Sequence, residues 1–169
     1  MQNKPILQVV KEILKENPEI WIIYHCMSEQ DMETAMLWEH AMVCSDSWSY
    51  PVNAPKQIAE PHPRSYGAFT RFLERFAVKN TKLSLSEAIH KMTAKPARFL
   101  NIVGRGEIKE GYYADLVLID LAKLKDKATF ANPRQYSEGV IHLWVNGVLT
   151  IENGQLSKNH GGTIIKAAR

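Results

Sequence analysis

The sequence has no long apolar run, almost no cysteine and little excess of either charge. No stretch approaches the roughly 18 apolar residues needed to span a bilayer as a helix, so a membrane association is not expected. The two cysteines, Cys26 and Cys44, make no C-x-x-C pair and no zinc-ribbon spacing. They sit in or beside apolar strand-like runs and are read as reduced, buried thiols. A net charge of +3, spread along 169 residues, gives no reason to expect nucleic acid as a partner. The opening "MQNKPILQVVKEILKENPE" carries charges through its apolar part and lacks a signal-peptide core, so the cytoplasm is the expected location. Also missing are repeats, low-complexity tracts, a G-x-S-x-G nucleophile motif and any H-x-H or H-x-x-x-H pair. "GRG" at 104–106 is too short for a phosphate loop.

What remains is ordinary globular composition, 45% hydrophobic and 23% charged, in a chain long enough for a real core. Ile6, Leu7, Val9, Val10, Ile13 and Leu14 fall on one helical face, and Asn17-Pro18 ends that helix. "IWIIY" at 20–24 is apolar throughout, as in a strand buried on both faces. Ser28 with Asp31 opens a helix reaching about Trp38. "AMVCS" at 41–45 reads as the next buried strand, giving a βαβ unit. Residues 49–64 hold four prolines and read as a long irregular loop of the kind that often carries function. A helix at about 65–79 places Phe69, Phe72, Leu73 and Phe76 on one stripe. Ser84 and Glu87 form a capping box before a helix with Leu85, Ala88, Ile89 and Met92 inward. Pro96 is placed to open one further turn. Beyond about residue 102 the period changes. A strand is expected at about 114–120, and Asn146-Gly147 and Asn153-Gly154 mark hairpin turns of a β meander. The expected fold is thus α/β over 1–101 followed by a small β unit over 102–169.

Two adjacent parallel strands would put His25 and Asp46 at the same carboxyl end, where ligands of parallel α/β folds bind. Asp46 there either caps the following turn or works at the mouth of the sheet, binding a metal or moving a proton. Arg64, after the proline-rich loop, is either a solvated arginine or a fork for a carboxylate. A catalytic metal site needs three or more ligands, and the six histidines are scattered, His90 on a helix and His142 in the meander. A complete site within this chain is not expected.

The segments "VCSDSW", "HPRSYGAFTRFLERF", "LSLSEAIHKMTAKPARFLNIVGRGEIKEGYYADLVLID" and "FANPRQYSEGVIHLWVNGVLTIENGQ" closely resemble the C-terminal third of D-aminoacylases, the N-acyl-D-amino-acid deacylases of the amidohydrolase superfamily. The resemblance runs from about Ile20 onward. It implies a C-terminal fragment of a metal-dependent (β/α)8 barrel, with 20–24 and 41–45 as its last two strands, 65–101 as closing helices and 102–169 as a β-sandwich segment. It implies zinc as cofactor, metal-bound hydroxide attacking the acyl carbon of a small N-acyl amino acid, Asp46 as metal-facing catalytic acid–base, and Arg64 as holder of the substrate carboxylate. The family's remaining metal ligands are upstream residues absent here. The site at Asp46 is therefore incomplete, and little or no activity is expected of the isolated chain. Other readings are a non-catalytic piece that homo-oligomerises or pairs with a separate N-terminal barrel portion, and a hydantoinase- or dihydroorotase-type cyclic amidohydrolase.

Overall fold

The computed structural model describes residues 4–20, 26–53 and 60–168. Helix α1, Ile6–Glu16, closes on Asn17, whose N–H reaches the Ile13 carbonyl at 2.9 Å. Its apolar stripe faces solvent: Ile6 is 83% exposed, and no residue of the helix is buried. Helix α2, Glu29–Leu37, opens on Ser28, whose hydroxyl accepts the Asp31 N–H at 3.0 Å. Helix α3, Arg64–Leu73, widens without a break into a π-helical turn, Glu74–Lys79. Helix α4, Leu85–Met92, carries the predicted capping box, with Ser84 accepting from the Glu87 N–H at 3.2 Å and Glu87 accepting from the Ser84 N–H at 2.9 Å. Helix α5, Ala94–Phe99, starts two residues before Pro96, which falls in the first turn, where a missing N–H costs nothing.

The C-terminal part is a four-stranded antiparallel meander in the order β1 (Leu116–Ile119), β2 (Val140–Val145), β3 (Val148–Glu152), β4 (Gln155–Leu156). Asn146 and Asn153 take φ of 51° and 50°, and the glycines after them are also positive, the geometry that two-residue hairpin turns demand. The Arg of "GRG" serves this unit. Arg105 lies 4.1 Å over the Tyr113 ring and pairs with Asp115 and Asn146, while Asp115 accepts the Asn146 N–H at 2.8 Å.

The core is a small cluster of Phe72, Leu73, Phe76, Ala88 and Leu124, with Met32, Met36, Val43, Met92 and Ile119 packed around it. It draws on both halves of the chain. Phe69 shares the helical stripe but stays exposed, because the covering side chains, Ala88 and Leu124, meet the stripe farther along. Leu85 and Ile89, expected inward, are exposed, and Lys91 is buried in their stead.

Two further expectations fail. Ala41–Ser45 forms no strand, so the predicted βαβ unit is not found among the described residues; residues 21–24 of its first strand, expected at 20–24, and His25 after it lie outside them. A strand exists only through a neighbour's hydrogen bonds, and this backbone docks on α4 instead, Val43 N–H donating to the Lys91 carbonyl at 3.2 Å. Cys26 and Cys44 are exposed rather than buried, and among the described residues no strand runs beside either.

The accessible surface is 13,034 Å², where a self-contained monomer of 19.2 kDa would expose roughly 8,400 Å². Large apolar side chains lie on that surface. Val117 and Leu118 in β1 are each 51% exposed. Among the described residues no helix is long and apolar enough to cross a membrane.

One buried carboxylate ties the halves together. Burial pushes the Glu74 carboxyl up, but the Lys79 ammonium at 2.6 Å and the Asp126 N–H at 2.9 Å outweigh it and hold the group below its ordinary value of 4.5. Glu33, hydrogen-bonded by Lys82 and by Arg75, is lowered likewise. A carboxyl lowered by folding binds fewer protons in the folded state than in the unfolded one. Its stabilisation is present above the unfolded value and is lost as pH falls through the folded one. Urea unfolding followed from neutral pH to about pH 3 is expected to show this acid loss, and Glu74→Gln to flatten part of it. Equal losses in both proteins would refute the role given to Glu74.

Candidate active site

The segment leading to Asp46 is held from below. The Lys91 ammonium, 5% exposed, donates to the carbonyls of Trp38 and, at 3.3 Å, Ala41. Burial, and then the charge of Lys95, holds its pKa below the ordinary lysine value. Lys95 donates to the Glu39 carbonyl. Two ammonium groups thus satisfy carbonyls just past the C-terminal end of α2, near which cations are favoured, and fix the start of the run that ends at Asp46.

Asp46 takes φ of 46°, a left-handed conformation that Asp and Asn tolerate better than other side chains. Its carboxylate is 83% exposed and meets the Arg64 guanidinium, Nη2 to Oδ2, at 3.0 Å. Arg64 Nε donates to the Asp46 carbonyl at 2.8 Å, so one guanidinium grips both the side chain and the backbone of that residue. Arg64 is the first residue of α3; Pro63 before it is buried, and the Arg64 N–H donates to His62 Nδ1 at 3.1 Å. A second tie joins the same two stretches, Ser47 Oγ to Ser65 Oγ at 2.5 Å. The structure therefore brings together the two residues singled out from sequence, eighteen positions apart.

The C-terminal unit supplies a wall beside them. His62 stands edge-on to Phe130, ring centres 5.0 Å apart, and Tyr66 to Tyr136 at 6.4 Å. Burial raises the Tyr66 phenol above its usual pKa. Arg134 reaches across to Glu60 at 2.9 Å. Chemically, the site offers a solvent-accessible carboxylate able to take and return a proton and a guanidinium able to fork onto an anion. In this conformation each satisfies the other.

A family profile described as the Amidohydrolase family matches residues 53–151. The chain belongs to this family. Within it, the chain is 38% identical over 125 residues to the N-acyl-D-aspartate deacylase of Alcaligenes xylosoxydans xylosoxydans, a match covering 74% of this chain and 24% of that protein. Among solved structures it is similar to a D-aminoacylase studied for its binuclear metal centre, with TM-score 0.79 and 30% identity over 93% of this chain and 34% of the other. It is also similar to the N-acyl-D-glutamate deacylase of Bordetella bronchiseptica, complexed with zinc and a phosphonate inhibitor, with TM-score 0.66 and 33% identity over 73% of this chain and 25% of the other. The chain spans about a quarter to a third of the length of these amidohydrolases.

Those metal centres raise the question of fit. Among the described residues no three His, Cys, Asp or Glu side chains gather as metal ligands, and Asp46 meets an arginine. The described residues do not by themselves fit a metal. Sequence reasoning missed Lys91, Glu60 and Arg134. Lys91 carried a usable signal, its place three residues after Ala88 on the inward face of α4; Glu60 and Arg134 carried none that is local.

Proposed function

We propose that this chain is the closing portion of a (β/α)8 amidohydrolase barrel, residues 1–101, followed by a β-sandwich segment, residues 102–169, of an N-acyl-D-amino-acid deacylase working in the cytoplasm. The observation that carries the reading is the meeting of Asp46 and Arg64 at the start of α3, on residues of the family match and beside it. The reaction is hydrolysis of the N-acyl amide bond. Asp46 takes the proton of the attacking water and returns it to the leaving amine. Arg64 turns from Asp46 to fork onto the free carboxylate of the substrate, which leaves Asp46 unpaired for proton transfer at the moment substrate is bound. Any zinc facing Asp46 needs further ligands outside the described residues, supplied by the upstream part of a barrel. The excess surface and the solvent-facing stripe of α1 favour pairing with such an N-terminal portion.

The test is to co-express the chain with the upstream barrel portion of a D-aminoacylase and to assay N-acyl-D- and N-acyl-L-amino acids. Turnover confined to the assembled pair and to the D substrates is expected, with none from the chain alone. An assembled pair, verified by gel filtration, that hydrolyses neither would sink the proposal. Turnover of cyclic amides instead would point to the hydantoinase or dihydroorotase class.

A further inference from the structure

Arg134 belongs to the C-terminal unit, yet it contacts both flanks of the stretch that joins Asp46 to Arg64. Its side chain is only 11% exposed. Nε donates to Glu60 Oε2 at 2.9 Å, just before Arg64, and Nη1 to the Pro51 carbonyl at 3.4 Å, just after Asp46. Tyr66 adds a weaker contact to the same Pro51 carbonyl at 3.5 Å. The loop that presents Arg134 is itself braced: the Gln135 amide donates to the Lys127 carbonyl at 2.6 Å and the Asn132 carbonyl at 2.9 Å, Asn132 N–H to Thr129 Oγ1 at 3.0 Å, and Pro133 is buried. A planar guanidinium has donors in a fixed fork and can bridge two acceptors at once; an ammonium is a point donor on a flexible stem.

We propose that Arg134 is a positioning residue, by which the C-terminal unit sets the distance and orientation between Asp46 and Arg64. The inference rests on the reading of that pair as the site. No hydrogen bond or ion pair among the described residues joins Arg134 to either of them; through Pro51, five residues after Asp46, and Glu60, four before Arg64, it fixes where the two flanks sit, so that Arg64 meets Asp46 in one geometry. In a site of this kind small misplacement is costly.

The test uses the whole chain, labelled with nitrogen-15, and follows the Arg64 Nε–H resonance, assigned by its disappearance in Arg64→Lys. In the wild type this proton should be protected, its acceptor being the Asp46 carbonyl, and its shift should move in Asp46→Asn, which removes the carboxylate that the same guanidinium meets. In Arg134→Lys, which keeps the charge, the shift is expected to move away from the wild-type position and exchange to quicken about fivefold to tenfold, the loss of roughly one hydrogen bond, with Tm unchanged. Glu60→Gln should weaken the same signal less. Should Arg134→Ala not fold, Arg134→Lys and Glu60→Gln decide. An Arg64 signal identical to wild type in both variants overturns the proposal. Because the resonance reports pair geometry and not turnover, a dependence on Arg134 together with an inactive assembled pair would overturn the deacylase reading and leave this inference standing.

Discussion

Asp46→Asn in the assembled enzyme is expected to lower kcat by about 10²–10⁴-fold, the range in which a positioned acid–base group contributes, while KM stays nearly unchanged. Asparagine is the informative replacement. Asp46 sits at φ of 46°, where a short polar side chain is tolerated and other residues are strained; Asp46→Ala would mix backbone strain with the loss of the carboxylate. The amide keeps the shape and an acceptor for Arg64 but cannot carry the proton. The ion pair it removes is exposed, 83% on the Asp46 side, and pairs of that kind contribute at most about 1 kcal/mol to stability. Tm should therefore barely move. Steady-state kinetics with an N-acyl-D-amino acid on both proteins is the measurement, and a kcat within a few-fold of wild type would remove Asp46 from the mechanism.

Phe76→Ala is expected to cost about 3–5 kcal/mol, a large part of the roughly 5–15 kcal/mol that holds a domain together. Phe76 is 2% exposed and packs on Phe72 with ring centres 5.1 Å apart. Its carbonyl also accepts the Leu83 N–H at 3.0 Å, so the residue fixes the turn into α4 as well as the centre of the core. Among the described residues it belongs to a buried cluster of five, so the void opens at the centre of the core. Urea unfolding of the isolated chain reads this as a lower midpoint. Val117→Ala, on a half-exposed β1 position, should stay within about 0.5 kcal/mol of wild type. Equal effects at the two positions would mean that the core is not where the structure puts it.

Features that were legible from the sequence are those whose cause lies within one turn of chain. Ser28 and Ser84 mark helix starts because their hydroxyls satisfy N–H groups three residues on. Asn146-Gly147 and Asn153-Gly154 mark hairpins because both positions take positive φ. The stripe through Phe72, Leu73 and Phe76 was readable for the same reason, while the exposure of Phe69 was not, since it depends on which distant residues cover the helix. Ala41–Ser45 was misread as a strand because a short apolar run describes a surface suited to burial, whereas the strand itself is made by a partner's backbone. The burial expected of Cys44 failed with it.

By itself, then, the sequence determined the family, the helices and hairpins with their caps and turns, and the choice of Asp46 and Arg64 as residues worth examining. Only the tertiary structure decided that these two meet at 3.0 Å, that Lys91 is buried against the carbonyls of Trp38 and Ala41, and that Arg134 spans from Pro51 to Glu60. The partners in those contacts are separated by 18 to 83 positions. At such separations no local preference of backbone or side chain specifies who meets whom; the packing of Leu124 against α3 and α4 does, by bringing the C-terminal unit over the helices.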